Sequence, residues 1–388
     1  MKAFDFFLPT KIKMGNGLFK HTGQYLQETV KGKKILIVTD IGIEKTGFVD
    51  ELLSILSHEG YKIEIFNGVK PNPKDYDCMT GARVAKSFGA DVILAIGGGS
   101  VIDSAKAIAI LQRLGGKPQD YAGRNNVPAP VTPLVVIPTT AGTGAEVTRS
   151  SVITDTLNKT KFTIKDVHIA PALAIVDPEL TYKLPSPLTA STGMDALVHA
   201  IEAFTCKLAN PISDALALQA MKYIYPHLRE AVSNGSNQES RFNVMIGSTI
   251  AGMAFSHADV ASVHCMAEAI GGLYDTPHGV ANSMFLPFVV EFNAKADTAK
   301  HAMIARTIGI ASANDSDENA TAKLVKDMKQ LAIDLSIPSF HALPEVSEED
   351  FPSLAQSSYL NGSTPSNCRE ITEKDYLELF RKAFKGSH

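Results

Sequence analysis

In Gly193-Met194-Asp195-Ala196-Leu197-Val198-His199 a carboxylate and an imidazole stand four residues apart. That spacing puts both side chains on one face of a helix. Farther along, His264 opens the run His264-Cys265-Met266-Ala267-Glu268, and His278 follows the Gly271-Gly272 pair and the helix break at Thr276-Pro277. Three imidazoles and one carboxylate make a nitrogen and oxygen donor set that suits a borderline divalent ion, Fe(II) or Zn(II), and lacks the thiolates of a structural zinc site. A metal so held is catalytic in character. A single histidine on an apolar helix face is more commonly a core or surface residue, so the weight lies on the joint spacing. Of the 11 histidines, His21, His58, His168, His227, His301 and His341 lack partners at helical intervals. His257 precedes the helix of His264 and stands between a turn cap and a site residue.

A second chemistry belongs to Ile96-Gly97-Gly98-Gly99-Ser100, where an apolar run ends in glycines and leads into a helix expected from about Val101. Glycines let a pyrophosphate approach the backbone, and the free N–H groups of a helix start meet it at the positive dipole end. Alone this is as consistent with a turn, because it is not GxGxxG. The run from Pro138 to Thr148, with Thr139, Thr140, Thr143 and Gly144, also follows an apolar strand candidate and is the needed companion. Two such loops at strand ends favour a dinucleotide. Asp40, just past the run Ile35–Thr39, is placed to accept from ribose hydroxyls and repel a 2′-phosphate, which favours NAD over NADP; its plainer role is a helix N-cap.

The elements that must position these groups follow from the pattern of apolar residues. Ile35–Thr39, Lys62–Phe66, Val92–Ile96, Leu134–Pro138 and Ala174–Val176 read as strands, separated by helical stretches such as Gly47–His58 and Asp75–Phe88. This is an α/β, doubly wound pattern. Beyond Pro178–Pro187 the periodicity turns helical, so the boundary falls near Leu184. Residues 1–184 read as a dinucleotide-binding α/β domain, and 185–388 as a helical metal- and substrate-binding domain of about seven or eight helices. The whole chain of 388 residues has 37 basic against 41 acidic residues, a formal charge of −4, and no basic patch for nucleic acid or anionic membrane. Its apolar runs are far shorter than the roughly 20 residues of a membrane span. Met1–Thr10 lacks the apolar stretch of a signal peptide, and Gly386-Ser387-His388 carries no weight. Cys78, Cys206, Cys265 and Cys368 form no CxxC pair, which points to free thiols and a cytoplasmic location.

Taken together, these segments resemble the iron-containing (group III) alcohol dehydrogenase family over essentially the whole chain. The likeness rests on Phe7 to Gly17, Lys70-Pro71-Asn72-Pro73, Gly97 to Lys106, Pro138 to Arg149, Met194 to Phe204 and Pro277 to Pro287, in that order. It implies a Rossmann-like N-terminal domain and an all-α C-terminal domain, the dehydroquinate synthase-like fold, with NAD(P) and one metal ion in a cleft between them. It also implies metal ligands at Asp195, His199, His264 and His278. Carried over residue by residue, it implies the adenosine ribose on Asp40, with Asn72 nearby, and the pyrophosphate over Gly97, Gly98, Gly99 and Ser100, the loop supported by Asp103. Thr139, Thr140, Thr143 and Gly144 would meet the phosphates or nicotinamide, and Val152 and Lys161 would flank the nicotinamide ribose. The implied reaction moves a hydride between NAD(H) and a small primary alcohol or aldehyde, diols and hydroxyaldehydes included.

The chain departs from the family pattern at Glu268, where many relatives carry a further histidine four residues after the third ligand. Glu268 is then a candidate proton relay, an additional metal ligand, or a residue salt-bridged elsewhere while bulk water handles the proton. Phe255, Leu273, Tyr274, Phe285, Tyr359 and Leu360 are candidates for apolar pocket lining, with core packing the commoner role for most of them, and Ser357–Arg369 reads as a mobile loop over the cleft. The resemblance implies a homodimer or higher homo-oligomer, and the extended stretch from Phe4 to Met14 is suited to pairing with a neighbour's sheet edge. A glycerol dehydrogenase-like or hydroxyacid dehydrogenase chemistry, and more remotely a non-catalytic nucleotide-binding protein, are the alternatives.

Overall fold

The computed structural model describes residues 3–386, and the features above that fall on residues 1, 2, 387 and 388 lie outside it. The chain forms two compact units. One comprises Leu8–Thr140 and Gly144–Tyr182, and the other comprises Lys183 onward, Ala141–Thr143 and the residues up to Phe7.

The first unit carries strands β1 (Lys11–Met14), β2 (Lys34–Val38), β3 (Lys62–Phe66), β4 (Val92–Gly97), β5 (Gly123–Arg124), β6 (Leu134–Pro138), β7 (Ser150–Asp155), β8 (Thr160–Lys165) and β9 (Leu173–Val176). Between them run helices α1 (Thr22–Thr29), α2 (Ile41–Glu44), α3 (Phe48–His58), α4 (Asp75–Phe88) and α5 (Gly99–Leu114). Six strands form one parallel sheet in the order β1-β9-β6-β4-β2-β3. The inner strands are continuous apolar runs because a parallel sheet is covered on both faces. Ile35, Ile37, Leu94, Ile96, Val135 and Ile137 pack with Leu26 of α1 and with Val49, Leu52 and Leu56 of α3. Those three positions of α3 fall on one helical stripe. Cys78 and Ala82 of α4 pack with Ala107, Ile110 and Leu111 of α5 and with Ile153 and Ile164 of the small sheet β5-β8-β7. Each such large apolar side chain, once buried, contributes about 1.5–3 kcal/mol.

All five expected strands are present within a residue or two of the expected limits. Three elements departed from expectation. Lys11–Met14, half charged, becomes β1 by pairing in parallel with β9 of its own sheet, and its other side forms the edge of that sheet. The antiparallel hairpin β7–β8 hid in a polar sequence; its turn is held by Asp155 Oδ1, which accepts from the N–H groups of Leu157 and Asn158. Helix α5 begins at Gly99, two residues ahead of the expected Val101.

The second unit contains nine α-helices among the described residues, one or two beyond the expected number. They are α6 (Ser186–Thr205), α7 (Pro211–Ser233), α8 (Gln238–His257), α9 (Ser262–Tyr274), α10 (His278–Ala294), α11 (Thr298–Thr307), α12 (Asp317–Asp334), α13 (Phe351–Leu360) and α14 (Glu373–Lys385). Helix α6 is buried nearly all round and packs on α7, α8 and α10, which makes it the core of this unit. Asn210 caps α7 by accepting from the N–H groups of Ile212 and Ser213. Phe285 packs edge-on against Phe340 and Phe380, so it is core and not pocket lining.

Ser357–Arg369 is not an open loop. Its first residues finish α13, Thr364–Ser366 form a 3-10 turn, and Asn367 is buried in a reciprocal amide pair with Asn293, 2.8 Å in each direction. Its Ser and Asn residues serve internal hydrogen bonds, which composition alone does not distinguish from hydration. All four cysteines are unpaired. Burial pushes the thiols of Cys78 up to about 12, of Cys206 and Cys368 up to about 11, and raises that of Cys265 as well. Among the described residues, no helix is long and apolar enough to cross a membrane.

Candidate metal centre and nucleotide-binding loops

Helix α6 presents Asp195 and His199 at i and i+4, both almost fully buried. Helix α9 brings His264 and the first residue of α10 brings His278. Between α6 and α10 the backbones come very close. A Cβ at Gly279 would lie 2.4 Å from the Ser191 carbonyl oxygen, so only glycine lets His278 enter here. His264 Nε2 lies 3.0 Å from His199 Nε2 and 3.9 Å from Asp195 Oδ1, and His278 Nε2 is 3.7 Å from the same oxygen. Asp195, His199 and His264 offer three ligand atoms within 4.8 Å of one another. All four residues expected as ligands are therefore brought together.

The donor chemistry fits a cation. Asn282 Nδ2, one turn after His278 on α10, approaches Asp195 Oδ1 at 2.6 Å and the Nε2 atoms of His264 and His278 at 3.2 Å each. One amide has two hydrogens for those three sites, and its own Oδ1 is buried without a hydrogen-bond partner. So many converging lone pairs are costly unless a positive charge lies among them. Burial raises the Asp195 carboxyl, but His199, His278, His264 and the Asn282 amide outweigh it and hold it below its usual range. Burial pulls His199 down to about 4, leaving it neutral, as a metal ligand must be. Its ring stacks on Phe255 with centroids 4.3 Å apart.

Glu202 and Asn282 were missed by sequence reasoning. Glu202 lies three residues after His199 and seven after Asp195, on their face of α6, and its carboxylate accepts from His264 Nδ1 at 2.6 Å. Burial lowers His264, but the hydrogen bond and charge of Glu202 outweigh it and raise the imidazole overall. The signal for both residues was their helical interval from a ligand. Glu268, one turn beyond His264, is half-buried and accepts from Asn361 Nδ2 at 2.7 Å. Leu273, Tyr359 and Leu360 are exposed, while Tyr274 donates from its hydroxyl to Asp350.

In the α/β unit, β4 ends at Gly97, whose φ of 157° and a phantom Cβ 2.6 Å from Val101 both exclude a side chain. Gly98 is the N-cap of α5 without a side-chain cap, so the early N–H groups of a 16-residue helix at Gly99 and Ser100 face outward from the strand end. Gly97 pairs with Pro138, so Thr139 and Thr140 leave β6 beside the glycine turn, and Thr139 N–H donates to Gly97 O. Gly144 opens a 3-10 turn in the left-handed region, while Thr143 falls in the stretch grouped with the helical unit.

The buried ammonium of Lys106 donates to Ala145 O, Thr148 Oγ1 and Ser150 O at 2.7–2.9 Å and lies 3.7 Å from Asp103 Oδ1. Burial lowers it to about 8 in spite of Asp103 and Glu146. Asp103 in turn accepts from Val152 N–H at 3.1 Å, tying α5 to β7. Lys161 is no free surface lysine: it donates to Asn72 Oδ1 at 2.8 Å, and Asn72 is buried in the left-handed region. Asp40 caps α2 through Oδ1, which accepts from Ile43 N–H at 3.0 Å. That leaves Oδ2 open to another donor. His257, stacked on Phe6, has its two ring nitrogens on the carbonyls of Met253 and Phe7, so it tethers chain segments.

Residues 9–178 match the family model described as iron-containing alcohol dehydrogenase, and residues 189–384 match that of the Fe-containing alcohol dehydrogenase family, C-terminal. The chain is 41% identical over 385 residues to a 1,3-propanediol dehydrogenase of Citrobacter freundii, covering 99% of each. It is 39% identical over 379 residues to an NAD-dependent methanol dehydrogenase of Bacillus methanolicus, covering 98% of this chain and 99% of that one. A crystal structure of a 1,3-propanediol oxidoreductase superposes with a TM-score of 0.95 at 41% identity, over 99% of this chain and 100% of the other.

Proposed function

The chain belongs to the iron-containing alcohol dehydrogenase family, a metal-dependent alcohol oxidoreductase, and from that premise we propose a small primary alcohol or diol, or the matching aldehyde, as its substrate. NAD(H) is the hydride carrier and Fe(II) the metal, with Zn(II) able to stand in its place. The names of the relatives, for 1,3-propanediol and for methanol, support short primary alcohols as the class. The observation that carries the reading is the convergence of Asp195 Oδ1 with the Nε2 atoms of His264 and His278 around the Asn282 amide, with His199 Nε2 3.0 Å from His264 Nε2.

When bound, the divalent ion supplies a Lewis acid for the substrate oxygen and NAD supplies the hydride acceptor. Asp195, His199, His264 and His278 hold the metal in the helical domain, residues 185–388. The α/β domain, residues 1–184, holds the cofactor. There Gly97, Gly98, Gly99 and Ser100 receive the pyrophosphate on the start of α5, and Asp40 accepts from the adenosine ribose through its open oxygen, with Asn72 close by. Thr139, Thr140, Thr143 and Gly144 orient the phosphates and the nicotinamide end. Val152 and Lys161 bound the nicotinamide ribose, with Asp103 holding Val152 in place. Glu268 takes the hydroxyl proton on oxidation and returns it on reduction, with Asn361 fixing its carboxylate. The unpaired, buried thiols support a cytoplasmic setting, and exposed Phe4, Phe6 and Phe7 support a homodimer or higher homo-oligomer.

The test is NADH oxidation by metal-stripped protein against a panel of small aldehydes, with Fe(II), Zn(II) or no metal added back without oxygen. Turnover is expected only with metal and is expected to collapse in His264→Ala. NADH binding without turnover of any aldehyde, whatever the metal, overturns the reading.

A further inference from the structure

We propose that Glu202 is the positioning residue of the metal centre: one buried carboxylate fixes the tautomer of His264 and sets the register of α9 on α6. The inference rests on the metal reading above and concerns how that site is built. Glu202 is 2% exposed. Its Oε1 accepts from Val263 N–H at 2.7 Å, and its Oε2 accepts from Ala261 N–H at 2.8 Å and from His264 Nδ1 at 2.6 Å.

Helix α9 has alanine as its N-cap, so its own sequence supplies no side-chain acceptor for the first N–H groups. Glu202 reaches over from α6 and does that work, with its negative charge at the positive end of the helix. A cap alone could be made by any acceptor. The third bond is more demanding. An ionised carboxylate only accepts, so the proton on His264 must sit on Nδ1, and Nε2 presents a lone pair toward His199 and Asp195. Because Glu202 shares its helix face with Asp195 and His199, one rigid element carries two ligands and the group that aims a third.

Glutamine keeps the shape and breaks the logic. Its amide NH2 has to face either the Val263 N–H, or the Ala261 N–H together with His264; set against His264, it turns Nδ1 into an acceptor and moves the proton onto Nε2, where it blocks ligation. The experiment measures Zn(II) affinity of the full chain by chelator competition in wild type, Glu202→Gln and Asn210→Ala. The last removes a cap on α7 and serves as the purely structural control. Glu202→Gln is expected to weaken Zn(II) binding about 10- to 100-fold, whereas Asn210→Ala lowers Tm and keeps wild-type affinity. Nitrogen-15 histidine spectra of the Zn(II)-loaded wild type are expected to show a slowly exchanging His264 Nδ1 proton. Equal Zn(II) affinity in folded Glu202→Gln overturns the proposal. Should that variant not fold, a His264 bound to zinc through Nδ1, or bearing a rapidly exchanging Nδ1 proton, overturns it instead. A wild type that binds neither Zn(II) nor Fe(II) defeats the metal reading itself.

Discussion

Asn361 holds Glu268 by one short hydrogen bond, on the helix that also carries His264 and one turn beyond it. A relay in that position must change protonation during turnover, and glutamine cannot. Glu268→Gln is therefore expected to lower kcat about a hundredfold, at the modest end for general acid–base groups, with metal content unchanged. Glu268→His, which restores a titrating group, is expected to recover most of the rate. Steady-state kinetics with metal analysis decides this, and full turnover in both variants denies Glu268 any chemical part. At this scale the sequence was informative where two functional groups share a helix face. Asp195 and His199 announce themselves by their interval, whereas His264 and His278 joined them by donor type, and the family likeness then implied the same four. Glu202 and Asn282 stayed hidden because a glutamate or asparagine inside a helix is usually solvated, and only three-dimensional packing shows what they face.

Among the elements, the inner strands were legible because burial on both faces demands unbroken apolar runs, as in Ile35–Val38 and Val92–Ile96. Strand β1 and the hairpin β7–β8 were not, since their stability comes from pairing with β9 and from turn and side-chain hydrogen bonds on polar residues. Lys106 belongs to this level of description: inside α5, it anchors the loop after β6 and the start of β7 through three bonds. Lys106→Met keeps the apolar stem but leaves two carbonyls, a hydroxyl and Asp103 without their cation. A loss of about 3–5 kcal/mol in unfolding free energy is expected, as for a broken buried ion pair. NADH affinity should fall with it, because the same loop carries Gly144. Denaturant titration and fluorescence binding check both; unchanged stability would show that the loop is held by other contacts.

For the molecule as a whole, ligand linkage separates the two compact units. A ligand that binds only the folded state adds about 2.7 kcal/mol of stability at a hundred times its Kd. Zn(II) should therefore slow amide exchange first in α6, α9 and the start of α10, and NADH first in Gly97–Lys106 and the loop after β6. Hydrogen exchange with each ligand separately tests this, and protection of the glycine turn by metal alone would contradict the assignment. The buried thiols carry a different consequence. Cys265 directly follows His264, a proposed metal ligand, and its thiol, like those of Cys78, Cys206 and Cys368, is pushed well above neutrality. The thiolate is the reactive form, so the molecule presents little thiolate for alkylating agents to attack. Peroxide damage is then to be sought at thioethers such as that of Met303, 47% exposed, where a thiol reductant has no disulfide to mend.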